Sequence, residues 1–121
     1  MSYVDGFVVA VPTNSVDAYK KVARQAGKVW MEHGALEYWE GVGEDVPAGK
    51  STSFPKSVKL KPNETVVFSW IRYKSRAHRD KVNKQAMEDP RIQAMDPKTM
   101  PFDSKRMIFG GFKALVKFQN D

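Results

Sequence analysis

Two stretches of this chain, Tyr3 to Val11 and Val66 to Tyr73, are apolar on both alternating faces. Both are rich in β-branched and aromatic residues, which suit a pleated surface. Pro12 ends the first, because proline cannot donate to a sheet ladder. Between them lies a helical pattern. Val16, Tyr19, Val22, Ala23, Ala26, Val29, Trp30 and His33 recur at three- and four-residue steps, with Lys20, Lys21, Arg24, Gln25 and Lys28 outside the stripe. Asn14 or Ser15 is placed to cap this helix, Asp17 suits its positive end, and Gly34 supplies a left-handed stop.

Ala35 to Gly43 reads as a second strand. Leu36, Tyr38 and Val42 share one face, and Glu37 and Trp39 the other. After the third strand, Val66 to Tyr73, Ser75 is placed to cap a helix running to Glu88, with a weaker stripe of Ala77, His78, Val82, Gln85, Ala86 and Met87. Pro90 limits it. Met107 to Phe118 reads as a fourth strand. The order β-α-β-β-α-β is the split βαβ or ferredoxin-like arrangement, an α+β fold. Right-handed crossovers then give an antiparallel sheet in the order 4-1-3-2. That order puts the two most apolar strands in the centre. It leaves Glu37, Glu40, Lys113 and Lys117 on the edges, where charge discourages further pairing.

Two helices can cover only one face of this sheet. The second face of strands 1 and 3 is also apolar, so the chain is expected to fold as half of a homodimer. The connection from Glu44 to Thr65 is long for a hairpin. Phe54, Val58 and Leu60 suggest that part of it packs back, and Pro55 suits a short helical turn. A second irregular stretch, Asp89 to Lys105, carries Ile92, Met95, Met100 and Phe102 and is expected over the sheet margin. Residues 1–121 are read as a single domain.

Composition narrows the chemistry without naming it. The chain has no cysteine, which removes disulfides and thiolate nucleophiles or ligands. Lys and Arg number 20 against 14 Asp and Glu, a net charge of +6 that permits anionic partners without requiring them. No apolar run approaches the roughly 20 residues of a membrane span, and the first apolar run lacks a basic start, so a cytoplasmic protein without a membrane partner is expected. No metal or cofactor motif is present: two lone histidines make no zinc pattern, and Glu44-Asp45 lacks the spacing of a calcium loop. Gly110-Gly111 lies within a strand and fits close packing better than a phosphate cradle.

Several segments together resemble the YbaA-like family of uncharacterised bacterial proteins. They are Tyr3-Val4-Asp5-Gly6-Phe7-Val8-Val9, Gly34-Ala35-Leu36, Asp45-Val46-Pro47 with Gly49-Lys50, and Val66-Val67-Phe68-Ser69-Trp70-Ile71. Asp89-Pro90-Arg91, Met100-Pro101-Phe102-Asp103, Lys105-Arg106-Met107-Ile108 and Gly110-Gly111-Phe112 complete the set. The resemblance implies a dimeric α/β barrel, two ferredoxin-like sheets facing each other. It implies no catalytic residues. Superfamily analogy points to cofactor-free monooxygenases or isomerases, and to haem-using enzymes, but one fold hosts many functions.

A few polar side chains interrupt the apolar faces. Asp5 lies among Tyr3, Phe7 and Val9, and a buried carboxylate needs a partner or a proton. Arg106, opening the neighbouring strand, is the expected partner. His33 closes the first helix and has the ordinary pKa nearest neutrality; its plainer reading is a helix cap. His78, in the first turn of the second helix, reads as a neutral surface or half-buried residue. Trp70 shares a face with Arg72, lining either a ligand cavity or the dimer seam. The site expectation is therefore catalytic Asp5 and His33, with Trp70, Arg72 and Arg106 binding a ligand, at least two of them converging on one cavity between sheet and helices. The function expected is a small molecule bound or transformed there; the alternative is a non-catalytic binding or stress-associated dimer. RNA binding is the weakest reading. The aromatic run Arg106 to Phe112 faintly resembles an RNA-recognition motif but falls on the wrong strand.

Overall fold

The computed structural model describes residues 2–120. Met1 and Asp121, the end positions of the expected domain, lie outside the described residues. The strands are β1 (Tyr3–Pro12), β2 (Glu37–Val42), β3 (Glu64–Tyr73) and β4 (Ile108–Lys113), antiparallel in the order β2-β3-β1-β4. This is the expected order and the expected ferredoxin-like topology. Phe7 stands opposite both Ser69 and Phe109, and Trp70 opposite both Gly6 and Trp39. Strand alternation then fixes the two faces of the whole sheet.

Helix α1 (Val16–Glu32) and helix α3 (Arg76–Glu88) cover one face. Gly34, at φ 113°, stops the first as expected, and the Ser75 hydroxyl accepts from the His78 amide at 3.1 Å to start the second. Asn14 and Ser15 do not cap α1. A 3-10 turn, Thr13–Ser15, leads into it, and the Ser15 hydroxyl donates to Asn14 Oδ1 instead. Under the helices the core has two parts. Val9, Val11 and Val67 pack with Val16, Tyr19, Phe102 and Met107 at one end; Tyr3, Ala35, Ile71, Tyr73 and Val82 pack with Phe7, Trp30 and Tyr38 at the other. The 89–105 stretch, with α4 (Pro90–Gln93) and a 3-10 turn at Pro97–Thr99, thus brings Phe102 over the sheet margin.

The long connection packs back as expected, and it does so on the outer face. The long connection holds helix α2 (Phe54–Ser57), opened by Pro55 and capped by Ser53, and it folds back over one end of that face. Val58 is buried there with Val8, Ala10 and Val66, beside Val46 and Leu60. Arg106 fastens the plug. Its guanidinium donates to the carbonyls of Val58 and Lys59 at 3.2 and 3.0 Å and to both oxygens of Glu64 at 2.8 and 2.6 Å. Half of the outer face is therefore covered by the chain itself. The other half leaves Trp39, Phe68 and Ile108 more than 40 % exposed, and Phe112 64 %.

Strand 4 is also shorter than the pattern suggested. Lys113 stands opposite Tyr3, where β1 begins, so the ladder has nothing further to pair with. Ala114 makes one last bond to the Ser2 carbonyl, and Leu115 and Phe118 are almost wholly exposed.

Candidate functional site

The helix face of the sheet and the inner faces of α1 and α3 do not meet everywhere. They enclose an open-sided cavity of about 660 Å³. Phe7, Val9 and Ile71 form its floor, Ala26 and Trp30 of α1 one wall, and Asn83 and Met87 of α3 the other. Phe102, Met107 and Phe109 close the β4 side. Apolar walls with a few polar groups are the usual make-up of a ligand site.

Two carboxylates reach this space, each held differently. Asp5 is 6 % exposed, and Arg79 of α3 donates to its Oδ1 at 2.5 Å. The same guanidinium donates to the Tyr3 hydroxyl at 3.3 Å and to Asp80 at 2.8 Å, and lies 4.9 Å above the Tyr3 ring. Burial raises the Asp5 carboxyl above its ordinary range, and the charge of Arg79 offsets this only in part. Burial opposes the charge of Arg79 as well, but its bonds to Asp80 and Asp5 outweigh that and hold it above its usual value. The Tyr73 hydroxyl and the Trp30 indole nitrogen are buried without a bond of proper geometry, although Tyr73 lies near enough to Asp5 to feel its charge.

Among the described residues no cation pairs with Glu40. Tyr19 of α1 donates to one of its oxygens and Tyr38 of β2 to the other, the latter at 2.6 Å. Burial, reinforced by the neighbouring carboxylate, raises both phenols, so they remain protonated donors. Gly27 makes this cluster reachable. A Cβ there would stand 2.8 Å from the Tyr38 ring, so only glycine lets α1 approach β2 so closely. Glu40, Tyr19 and Tyr38 also line a second groove of about 610 Å³ beside α1, and thus form the partition between the two spaces. Gly111 plays the same part across the sheet: a Cβ there would meet the Tyr3 hydroxyl at 2.2 Å.

The residues singled out from the sequence do not converge. Asp5 alone lines the cavity. Its partner is Arg79, not Arg106, which turns away to Glu64 on the outer-face plug. The strand neighbourhood of Asp5 and Arg106 was right, but Arg106 precedes β4 and lies beyond the last β1–β4 pair, Val8 with Ile108. His33 ends α1 and bonds Asp89 at 2.9 Å, within a network in which Arg91 joins Asp89 to Glu32. Its plainer reading, a helix cap, describes its position. Arg72 and Trp70 lie on the outer face, where Arg72 pairs with Glu37 at 3.4 Å and Trp70 stacks on Trp39 at 6.1 Å. His78 accepts from the Lys74 amide at 3.0 Å.

Arg79, Glu40, Tyr19 and Tyr38 were not singled out. Arg79 was legible as a site residue: it falls three and seven positions before Val82 and Ala86, on the buried stripe of α3. Among the described residues no cluster of three His, Asp or Glu is arranged to hold a metal ion.

Residues 2–104 match the family described as a protein of unknown function, DUF1428. The chain is 50 % identical over 116 residues to the uncharacterized protein YbaA of Escherichia coli K12, covering 96 % of this chain and 98 % of that one. The chain belongs to this YbaA-like family. The same identity and coverage hold for YbaA of Shigella flexneri. Solved structures share the fold at low identity. An uncharacterized NIPSNAP domain protein from Burkholderia xenovorans has a TM-score of 0.60 at 16 % identity, covering 98 % of this chain and 99 % of its own. A putative antibiotic biosynthesis monooxygenase from Nitrosomonas europaea has 0.59 at 15 %, with coverages of 94 % and 90 %. A dimeric ferredoxin-like protein from an uncultured marine organism has 0.54 at 17 %, with 99 % and 100 %. No helix among the described residues is long and apolar enough to cross a membrane.

Proposed function

We propose that this protein is a cytoplasmic homodimer that binds a small organic molecule, and acts on it, in the cavity between the sheet and helices α1 and α3. One observation carries the reading. A space of about 660 Å³ is walled by aromatic and aliphatic side chains and reached by a buried carboxylate, Asp5, with its charge partner Arg79. A carboxyl raised by burial holds a proton more readily than an ordinary one, which suits a group that exchanges a proton with a bound molecule. The putative monooxygenase of the same fold supports an enzymatic reading of the cavity, in which Asp5 would take up or release a proton at the bound molecule. The open, aromatic end of the outer face would pair with a second copy, as the dimeric protein of the same fold suggests. His33, Arg72, Arg106 and Trp70 take structural places in this reading.

The non-catalytic alternative keeps the same cavity. It is favoured by Glu40, whose two oxygens are each occupied by a tyrosine hydroxyl. The test is amide chemical-shift mapping with a set of small aromatic compounds, on the wild type and on Asp5→Asn. Shifts are expected at Ser69, Gly110 and Gly111, and Asp5→Asn should alter affinity more than folding stability. Shifts confined to Trp39, Trp70 and Phe112, or none, would remove the cavity reading.

A further inference from the structure

We propose that the ligand of this cavity is an organic cation: an apolar ring or chain bearing a protonated amine that docks on Glu40. This rests on the cavity reading above and adds the chemical class. The net charge of the chain is +6, and charge alone would suggest an anionic ligand. The cavity itself has the opposite sign. Its charged lining residues are Asp5, Glu40 and Arg79. Arg79 is already committed to Asp5, Asp80 and the ring and hydroxyl of Tyr3, so it offers an incoming anion little.

Glu40 is the opposite case. Among the described residues its only donors are two neutral hydroxyls, which orient the carboxylate without bringing a compensating charge. A carboxylate has about four acceptor positions, and two remain for a donor arriving from the cavity. An ammonium group fits them and supplies the missing positive charge, in surroundings where burial strengthens the attraction. The walls suit the same class. Trp30, Phe102 and Phe109 present aromatic rings, which attract cations as well as apolar groups. Lys20, Arg24 and Lys28 line the neighbouring groove, which Glu40 also borders, and none of them is within ion-pair distance of that carboxylate.

The test uses three probes sharing one ring system and differing in charge: 2-naphthylmethylamine, 2-naphthylmethanol and 2-naphthoate. Titration calorimetry at neutral pH measures each on the wild type, on Glu40→Gln and on Ala26→Trp, a variant that fills the cavity. The amine is expected to bind the wild type about tenfold or more tighter than naphthoate, the difference between a charge-assisted and an ordinary hydrogen bond. Glu40→Gln should remove most of that preference and weaken the alcohol far less than the amine; Ala26→Trp should abolish binding of all three. The wild-type ranking does not depend on any variant folding. Naphthoate binding as tightly as the amine, and blocked by Ala26→Trp, would overturn the cation while leaving the cavity in place. No binding by any probe, or binding that survives Ala26→Trp, would overturn both.

Discussion

On the helix face of the sheet, Asp5, Glu40, Ser69 and Tyr38 stand among Phe7, Val9 and Ile71, and the carboxylates of Asp5 and Glu40 are bonded to side chains brought by α3, by α1 and by β2 itself. On the outer face, Trp39 stacks on Trp70 and meets Phe68 edge-on, Phe54 joins them, and the ion pairs stand at the margins, Glu37–Arg72 at one and Glu64–Arg106 under the plug at the other. The helix face is covered incompletely and has polar groups in the gap. The outer face is half plugged by the chain's own loop, and its remainder is apolar and open. An apolar patch of this kind calls for a protein partner, whereas a polar-tipped cavity calls for a small molecule. The four strands serve both because alternate residues face opposite ways.

Breaking the charge pair of the helix face should have the largest effect on stability. Arg79→Met would leave Asp5 buried without its cation, at a cost of about 3 kcal/mol. The sign with pH follows from the shift. The Asp5 carboxyl is already raised in the folded protein, so its contribution to stability is greatest below the unfolded value of 3.8 and falls as pH rises through the folded value. Losing Arg79 raises it further. Urea unfolding should therefore show a larger deficit for Arg79→Met at neutral pH than at acidic pH.

The plugged end of the outer face comes next. Val58 is 1 % exposed, and Val58→Ala should cost about 2 kcal/mol in the same assay, by loss of buried area and a residual cavity. A smaller and opposite pH effect belongs to Glu64, which fastens the plug. Its hydrogen bonds from Arg106 hold its carboxyl at about 2, below the ordinary 4.5. Stability from this bond is full above 4.5 and is lost as pH falls toward 2. Glu64→Gln should lower stability at neutral pH and flatten the acid limb of the stability curve.

These residues also mark how far the sequence could be read. The strand order follows from the element order and right-handed crossovers, and two facts agree with it: β1 and β3 are apolar on both faces, and the edges carry charge. The resemblance to the YbaA-like family was equally legible. What failed were the inferences that need distances between elements. Asp5 lies one strand from Arg106, but the arginine precedes β4 and turns to Glu64 instead. Glu40 looked like an ordinary edge charge because strand alternation gives its face and not the tyrosine that α1 brings over it. The fourth strand was overextended because Leu115, Val116 and Phe118 continue its apolar pattern past the point where β1 supplies a partner. Val58 and Leu60 show that the long connection packs back, but not which face of the sheet it covers or how much of it.

The smallest effect on the fold of a single chain should come from the open end of the outer face. Trp39 is 45 % exposed, and Trp39→Lys should leave the circular dichroism spectrum of the chain unchanged. Its effect should fall on association, because a charge at a dry seam is left without a partner.

Sedimentation equilibrium of the wild-type protein at low micromolar concentration tests the division of labour between the two faces most directly. A particle of twice the chain mass is expected, reduced to one chain by Trp39→Lys. A wild-type chain that remains monomeric at that concentration would contradict it.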